Sequence, residues 1–558
     1  MVETVKLMTW RIFIIMAGLA GLPGRAAAEW QWSKEVPAIT IGDTAAHPQA
    51  FLWIPPDCRR VRAVVFGQNN MIEEGILQDE NFRRQLGALG IAEIYVAPTF
   101  DTWQDATNNA AANRKFDALL QAFADESGYG ELKFAPVIPL GHSAMASFPW
   151  NFAAWNSGRT LAILSVHGDA PQTTMTGNGR PNLVWGDRGI DGIPGLMVMG
   201  EYEWLPGRLT PATEFFARHP RTPVAVLGDA GHGHFDYSDE LIRYLVMFVR
   251  KAAAARLRDQ PPACQPVPLK PVDPRDGWLM DCWQSNRPPA AEPAPYAKFT
   301  GDRRLAFWTF DAETAWAAEH FNLQAGKAPQ LAGFVQDGKV VDQTPGTHEQ
   351  IRLVVPPLDD RLTFRLNGTF LDAVPAGANP VRWTGLTNGA PLEHANGGGP
   401  VRLSRISGPV EQLGPDEFRI SFNRSSIPED RRCGDIWLLA SHPGDARFKS
   451  TVQQALMKIP VRLTQGAAQR ITFPPVPDQR AGVKTLKLAA VSDAGAAVRY
   501  YVREGPAEVA GDTLRFTAIP PRAKFPVRVT VVAWQYGRTV EPKLQSAVPV
   551  GQTFLLTQ

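Results

Sequence analysis

The feature that most constrains this 558-residue chain is an alternation of short apolar runs with longer amphipathic stretches between residues 35 and 260. Each apolar run is bounded by Gly, Pro or Asp, a pattern that predicts buried strands. These runs are Ala63–Phe66, Ile91–Ala97, Phe134–Leu140, Leu161–Val166, Leu196–Met199 and Val224–Leu227. The amphipathic stretches Arg114–Ala124 and Leu241–Leu257 predict helices. Such alternation predicts an α/β class: a doubly wound parallel sheet with helices on both faces.

The composition and the predicted secondary structure of the chain change after residue 260. The segment 261–295 is rich in proline, and beyond residue 321 alternating strands with Gly and Pro turns replace the helical pattern. A chain of this length exceeds a single hydrophobic core. We therefore predict several units: a signal peptide at 1–28, an α/β domain at 29–260, a Pro-rich linker or wrapping arm at 261–300, a mixed or β-rich segment at 301–380, and two all-β repeats at 381–468 and 469–558.

The tail contains an internal repeat. The segments Ala395–Arg402 and Ser492–Arg499 match, and each is followed by a Gly-Pro pair. A repeat of about ninety residues made of strands and turns has the size of a β-sandwich domain. Both copies resemble the bacterial Ig-like modules of exported surface proteins, most clearly in Gln469–Phe473, Glu504-Gly505-Pro506 and Gly511–Leu514. The resemblance implies spacer or carbohydrate-contacting modules.

The N-terminus predicts export. Basic residues precede the apolar run Ile12–Leu22, which is too short to span a bilayer, and Ala26–Ala28 supplies a small-residue cleavage site. We expect a mature chain that begins near Glu29, is secreted or periplasmic, and has no membrane attachment after signal removal. A retained membrane anchor is the alternative.

The charge balance narrows the class of partner. Lys and Arg number 57 against 55 Asp and Glu, so no broad basic surface is expected. Nucleic acid and anionic membranes attract proteins through such surfaces. The composition therefore points away from both as partners.

The cysteines predict a disulfide and no metal site. No Cys-x-x-Cys pair occurs among Cys58, Cys264, Cys282 and Cys433, so neither a zinc site nor a thioredoxin-type centre is indicated. Cys264 and Cys282 lie close together in the Pro-rich stretch and form the predicted disulfide. Four unpaired buried thiols are the alternative.

One short motif carries chemistry. Gly141-His142-Ser143-Ala144-Met145 closes a predicted strand, and Ala146 follows. This segment resembles the nucleophile elbow G-x-S-x-G of the α/β-hydrolase family, in which small residues let strand and helix approach closely. Met145 departs from the pattern, because the family prefers Gly or Ala at that position. The resemblance implies that the chain is a bacterial serine esterase of this family with Ser143 as nucleophile.

The same resemblance implies an acid beyond a later strand. Leu196–Met199 is followed by Gly200, and in the family the acid commonly lies three residues past such a glycine. That position is Glu203, with Glu201 held in reserve.

The base is expected in the loop after the next strand, Val224–Leu227. This loop contains His232 and His234, and its Gly-His-Phe-Asp context favours His234, with His232 in reserve. An imidazole takes the proton of the serine hydroxyl, and the buried carboxylate holds the imidazole in the right tautomer.

Two further groups would stabilise the oxyanion. In this family one donor is the amide after the nucleophile, here Ala144, and the other comes from the loop after an early strand. We predict Gln68 for the second donor. The chemistry requires no cofactor and no metal.

Three other patterns have competing interpretations. His232, His234 and Asp236 alternate along an extended segment and could hold a metal. His167 follows a strand and could form a second functional loop or line a pocket. Tryptophans are common both in sugar-binding clefts and in cores. The tryptophans predicted here to bind substrate are Trp150, Trp185 and Trp204, with Trp155 as a further candidate.

Together these patterns predict a secreted carboxylic ester hydrolase that works through an acyl-enzyme. Export, sandwich modules and tryptophans favour an acyl ester on an extracellular polysaccharide as substrate. Two alternatives remain: a lipase, polyester depolymerase or peptidase on the same triad, and an inactive hydrolase fold that serves as a surface binding protein. We also expect residues 29–300 to stay active without the tail.

Overall fold

The structure is a computed structural model. It describes residues 30–36, 39–41, 44–105, 107, 109–173, 183–203, 206–258, 264–281, 289–343, 351–354, 357–358, 360–426 and 432–558. The predicted signal peptide lies outside these residues. So does Cys282, while its predicted partner Cys264 is exposed. In the described part of the chain, no helix is long and apolar enough to cross a membrane.

An eight-stranded mixed sheet forms the centre of the N-terminal domain. Its strands occur in the order β1-β4-β6-β5-β7-β8-β9-β10. The strands are β1 (Trp32–Glu35), β4 (Gln49–Trp53), β5 (Ala63–Gln68), β6 (Ile91–Ala97), β7 (Val137–His142), β8 (Ile163–Val166), β9 (Gly195–Gly200) and β10 (Val224–Asp229), with a small hairpin of β2 (Ile39–Ile41) and β3 (Thr44–Ala46) beside them. The strands from β6 to β10 in this order run parallel, and β4 and β1 are antiparallel to their neighbours.

Helices cover both faces of this sheet. Alternate residues of β5 belong to different hydrophobic clusters: Val65 packs with one helical layer, and Val64 and Phe66 pack with the other. This period of two is what a strand buried on both faces requires. The helices of the domain are α1 (Glu73–Gln78), α2 (Glu80–Ala88), α3 (Asn109–Ser127), α4 (Phe148–Trp155), α5 (Pro206–Arg218) and α6 (Asp239–Arg256). This is the α/β-hydrolase fold.

The predicted strands and helices are present. Each of the six predicted strands overlaps an observed one, and the two predicted helices correspond to α3 and α6. Among the strands the largest shift is in β7, which starts at Val137 because the segment Gly130–Phe134 forms a 3₁₀ turn.

A small sheet and a helix follow the α/β domain and pack against its edge strand β10. Val272 in this region donates its backbone N–H to the carbonyl of Gly192, which ties the chain back onto the domain. The elements are β11 (Trp278–Asp281), β12 (Ala294–Pro295), β13 (Ala306–Thr309) and α7 (Ala312–Gln324).

The remaining chain forms two β-sandwiches, which we call the first and the second sandwich. The first consists of β14 (Ala332–Gln336), β15 (Lys339–Val340), β16 (Ile351–Leu353), β17 (Thr363–Arg365), β18 (Asn367–Phe370), β19 (Arg402–Ser407), β20 (Val410–Gln412), β21 (Glu417–Ile420), β22 (Asp435–His442) and β23 (Thr451–Lys458), with helix α8 (Ala378–Thr384) inserted. Phe364, Phe418 and Leu438 from its sheets share one core. Its strands begin at Ala332, ahead of the expected boundary at 381, because the repeat signature covers only the later hairpins.

The second sandwich repeats this plan. It consists of β24 (Ile471–Thr472), β25 (Gln479–Arg480), β26 (Thr485–Lys487), β27 (Val491–Ser492), β28 (Arg499–Glu504), β29 (Ala507–Ala510), β30 (Thr513–Phe516), β31 (Val527–Trp534) and β32 (Val550–Thr557). Each sandwich has a four-stranded sheet, in the order β16-β23-β22-β19 or β25-β32-β31-β28. Each also has a three-stranded sheet that shares its core.

Candidate active site

Ser143 lies on a strained turn between β7 and α4. Its φ is +52°, a left-handed conformation that non-glycine residues rarely adopt. The turn brings the carbonyl of Met145 against Gly141, where a Cβ atom would lie 2.1 Å from that oxygen. Only glycine therefore fits at position 141, and the serine hydroxyl stands at the carboxyl end of the sheet.

The structure accommodates Met145. The close approach of this turn to the rest of the domain is made by Ala146, whose Cβ would lie 2.1 Å from a Cβ placed on Gly168. Ala146 is fully buried, whereas the side chain of Met145 is only partly buried. The departure from the family pattern therefore falls at a position with room for a larger side chain.

His234 contacts Ser143 directly. Its Nε2 lies 2.6 Å from Ser143 Oγ, and its Nδ1 is hydrogen-bonded to Glu203 Oε2. The histidine belongs to the loop between β10 and α6. Ser238 caps that helix by accepting from the backbone N–H of Leu241. Serine, imidazole and carboxylate thus form one hydrogen-bonded chain.

Glu203 follows β9 and is surrounded by donors. Its Oε1 accepts from the backbone N–H of Gly200 at 3.0 Å, and its Oε2 accepts from Arg208 Nη1 at 2.9 Å. Burial alone would raise the pKa of Glu203, but the imidazoles of His234 and His167 outweigh it and hold the pKa well below its usual value. Glu203 is therefore a carboxylate that only accepts hydrogen bonds.

His167 is a second imidazole on the same carboxylate. Its Nδ1 lies 2.7 Å from Glu203 Oε1, and its Nε2 lies 3.0 Å from the carbonyl oxygen of Asp236. Both partners accept, so both ring nitrogens must carry protons. Burial opposes the charge, but the hydrogen bond to Glu203 and its charge raise the pKa of His167. The sequence singled out His167 without assigning it this role.

The reserve candidates lie elsewhere. His232 is hydrogen-bonded to Asp236, and Glu201 pairs with Lys449 at 2.7 Å. Burial opposes protonation of His232, but the carboxylates of Asp229 and Asp236 raise its pKa to about 10. Neither reserve residue bonds to the serine. His232 and His234 also have different partners, and within the described ranges no cluster of three His, Cys, Asp or Glu side chains is arranged for a metal.

The oxyanion candidates have different positions. Ala144 follows Ser143 in the turn and is partly exposed. Gln68 is fully buried: its amide nitrogen donates to the carbonyl of Asp101, and its oxygen accepts from the N–H groups of Phe100 and Asp101. The Gln68 side chain is therefore occupied inside the domain, and the assignment of Gln68 as the second oxyanion donor stays a prediction. Asn69 and Asn70, on the same loop, are partly exposed.

Two of the tryptophans predicted to bind substrate, Trp150 and Trp185, lie in the core of the domain. Trp150 is fully buried and donates to the carbonyl of Asp169, and Trp185 is buried and donates to Asn151. Their indole N–H groups are satisfied internally, as is usual for core tryptophans. Trp155 is partly buried under the guanidinium of Arg188. Trp204 lies outside the described residues.

Three residues that the sequence did not single out hold the elbow. The carboxylate of Glu73 accepts the N–H groups of His142, Asn70 and Met71 at 2.9, 3.0 and 2.9 Å. Asn70 Nδ2 donates to the carbonyl and to Nδ1 of His142, both at 3.1 Å. His142 Nε2 then donates to the carbonyl of His234 at 2.7 Å. The only sequence signals were an Asn-Asn pair after β5 and a histidine beside the serine.

Comparisons with known proteins give limited similarity. No family model and no curated protein matches the chain. A dienelactone hydrolase from Anabaena variabilis aligns over 41% of this chain and 100% of its own, at 10% identity and a TM-score of 0.27. A fluorophosphonate-binding serine hydrolase from Staphylococcus aureus aligns over 40% of this chain and 98% of its own, at 12% identity and a TM-score of 0.28. A monoglyceride lipase from Saccharomyces cerevisiae aligns over 42% of this chain and 99% of its own, at 12% identity and a TM-score of 0.27. These scores are too low to assign chemistry, which depends on the geometry of the site.

Proposed function

We propose that the protein hydrolyses carboxylic esters through an acyl-enzyme, with Ser143, His234 and Glu203 as its catalytic triad. The observation that carries this proposal is the continuous chain of hydrogen bonds from Ser143 Oγ through both nitrogens of His234 to the Glu203 carboxylate. The three residues lie at the carboxyl ends of β7, β9 and β10, where an α/β-hydrolase sheet presents its reactive groups.

The reaction follows from this geometry. Ser143 attacks the ester carbonyl carbon while His234 Nε2 takes the hydroxyl proton, and Glu203 stabilises the imidazolium that forms. The ester C–O bond then breaks, and His234 returns the proton to the departing alcohol. Water attacks the acyl-enzyme by the same route and releases the carboxylic acid. The Ala144 N–H, at the start of the helical turn, is the oxyanion donor that we assign on the elbow.

The triad can be tested by kinetics on a short-chain chromogenic ester. We expect Ser143→Ala and His234→Ala each to lower kcat by about 10⁶-fold and Glu203→Gln by about 10⁴-fold, since members of a triad act as a unit. Combining the first two changes should add little. Ser147→Ala, the same change four residues away at a side chain bonded to Gln104, is the control and should stay active. Full activity in Ser143→Ala would sink the mechanism.

We also propose that the enzyme is exported and acts on an acyl ester of an extracellular polysaccharide. The N-terminal pattern and the sandwiches support this, whereas the burial of Trp150 and Trp185 removes one of its sequence arguments. Comparing hydrolysis of acetylated polysaccharide with that of long-chain esters and peptides separates it from a lipase, depolymerase or peptidase. Mass spectrometry of the exported protein tests cleavage before Glu29, and an intact Met1 would contradict it. The complete triad weighs against an inactive binding protein.

A further inference from the structure

The loops that carry the acid and the base both rest on the first sandwich. On the acid side, Lys449 Nζ lies 2.7 Å from Glu201 Oε1, and both side chains are buried. Between them and the catalytic carboxylate lies Tyr202, whose hydroxyl bonds to Thr451 at 3.1 Å and whose carbonyl accepts from Trp383 Nε1 at 3.0 Å. The acid loop is therefore held by three residues that lie at least 181 positions away in sequence.

The base loop also contacts the first sandwich, through Ser450 and Gln454. Ser450 Oγ donates to the carbonyl of Ala230 at 2.7 Å, and a Cβ on Gly231 would lie 2.0 Å from the Ser450 carbonyl oxygen. The side-chain amide of Gln454 is oriented with its oxygen toward the base loop. This oxygen accepts hydrogen bonds from the backbone N–H groups of His234 and Phe235 at 3.1 and 3.2 Å. Gln454 is buried in β23, which is paired on both sides.

The first sandwich also reaches the elbow. Arg432 Nη1 donates to Asn70 Oδ1 at 3.2 Å, and Ser425 Oγ donates to Glu74 Oε1 at 2.6 Å. Asn70 in turn contacts His142, the residue before the nucleophile. The acid loop, the base loop and the segment after β5 thus all contact the same module.

We propose that the first sandwich is an integral part of the active site and that Gln454 is a positioning residue for His234. The inference rests on the proposed function. The backbone of His234 is held at both polar groups: its carbonyl accepts from His142 Nε2 at 2.7 Å, and its N–H donates to Gln454. These two hydrogen bonds restrict rotation of the peptide planes on either side of His234, and this restriction favours the position in which its imidazole lies 2.6 Å from Ser143 Oγ.

A positioning role differs measurably from a merely structural one. If Gln454 only stabilised the fold, replacing it would lower the melting temperature and leave the folded fraction fully active. If it positions the base, the folded protein turns over slowly, because proton transfer requires hydrogen-bond geometry in the transition state. Substrate binding depends little on the imidazole, so KM should change far less than kcat.

The test compares two neighbouring glutamines in the full chain. Gln454→Met removes the acceptor at similar size, and Gln453→Met is the matched control. Side chains alternate along a strand, and Gln453 bonds to Gln343 within the first sandwich. We expect Gln454→Met to lower kcat and the rate of phosphonate labelling of Ser143 by about 10- to 100-fold, with KM within about twofold, since small misplacements cost up to about 10²-fold. Gln453→Met should keep kcat within about twofold of the unmodified protein.

The outcomes separate the two proposals. A kcat for folded Gln454→Met within twofold of that for Gln453→Met would overturn the positioning role, even if Ser143→Ala is inactive. Hydrolysis by Ser143→Ala would instead overturn the triad. If Gln454→Met does not fold, Gln454→Asn, which withdraws the acceptor by one methylene and stays polar, is measured with the same criteria.

Discussion

The two sandwiches are built alike but are attached to different parts of the α/β domain. In both, the strand after the repeat signature has a register shift, between Arg405 and Ser407 in β19 and between Val502 and Glu504 in β28. A glycine with positive φ follows each strand, at 96° for Gly408 and 115° for Gly505. The first sandwich contacts the loops that carry Glu203 and His234, whereas the second contacts the edge of the central sheet.

The second attachment is remote from the chemistry. Glu504 Oε2 accepts from the backbone N–H and the hydroxyl of Ser33 at 3.1 and 2.9 Å, and Gly505 donates to the carbonyl of Trp30 at 3.0 Å. Strand β1, which contains Ser33, is separated from β7 by β4, β6 and β5. At about 4.8 Å per strand this places β1 roughly 19 Å from β7, the strand that precedes Ser143. The first sandwich thus contacts the loops of the site, and the second covers an edge of the central sheet.

The largest expected difference between the two attachments comes from Lys449→Met. This change leaves Glu201 buried without its partner, and breaking a buried ion pair costs about 3–5 kcal/mol. Because Glu201 lies two residues before Glu203, kcat should fall as well. Denaturant unfolding and ester kinetics on the variant measure both effects.

Two matched variants sharpen this result. Lys458→Met makes the same change at the end of β23, where the lysine is 58% exposed and pairs with Asp435 at 3.3 Å, so it should cost less than about 1 kcal/mol. The double variant Lys449→Met/Glu201→Gln removes both charges and should recover much of the loss. Equal free energies of unfolding for the two lysine variants would show that the Lys449–Glu201 pair does not stabilise the acid loop.

A smaller effect, on stability alone, is expected from Glu504→Gln in the second sandwich. The change replaces one acceptor oxygen with a donor amide among Ser33, Thr530 and Arg528 and should cost about 1–3 kcal/mol. Ester turnover should stay within about twofold, because β1 is remote from the site. Glu541→Gln, at an exposed position of the same sandwich, is the control. A loss of kcat in folded Glu504→Gln would erase the distinction between the two sandwiches.

The sequence predicted the central sheet and the order of the site residues because both have local signatures. A buried strand shows as an apolar run, and Ser143, Glu203 and His234 each follow one within a few residues. The predicted α/β-hydrolase fold is confirmed, and the structure places His234 within hydrogen-bonding distance of both Ser143 and Glu203. Met145 departs from the family pattern, and the partly exposed position of its side chain explains why the turn accommodates it.

The remainder could not be predicted, since it depends on contacts between distant segments. Lys449 and Glu201 are 248 residues apart, and neither shows a pattern that names the other. The same limit explains Gln68 and Trp150, whose burial follows from packing rather than from the neighbouring sequence. The internal repeat and the Pro-rich arm predicted an active fragment of residues 29–300, whereas the contacts of Gln454 with the base loop predict that removing the first sandwich lowers turnover.

The most direct test of the central claim is covalent labelling of the full chain with a fluorophosphonate, followed by peptide mass spectrometry. We expect one stoichiometric adduct on Ser143, because His234 Nε2 lies 2.6 Å from its hydroxyl oxygen and can accept its proton. Labelling should be absent in Ser143→Ala and strongly slowed in His234→Ala. An ester-hydrolysing preparation that is labelled on another serine, or that is not labelled at all, would contradict the assignment of Ser143 as the nucleophile.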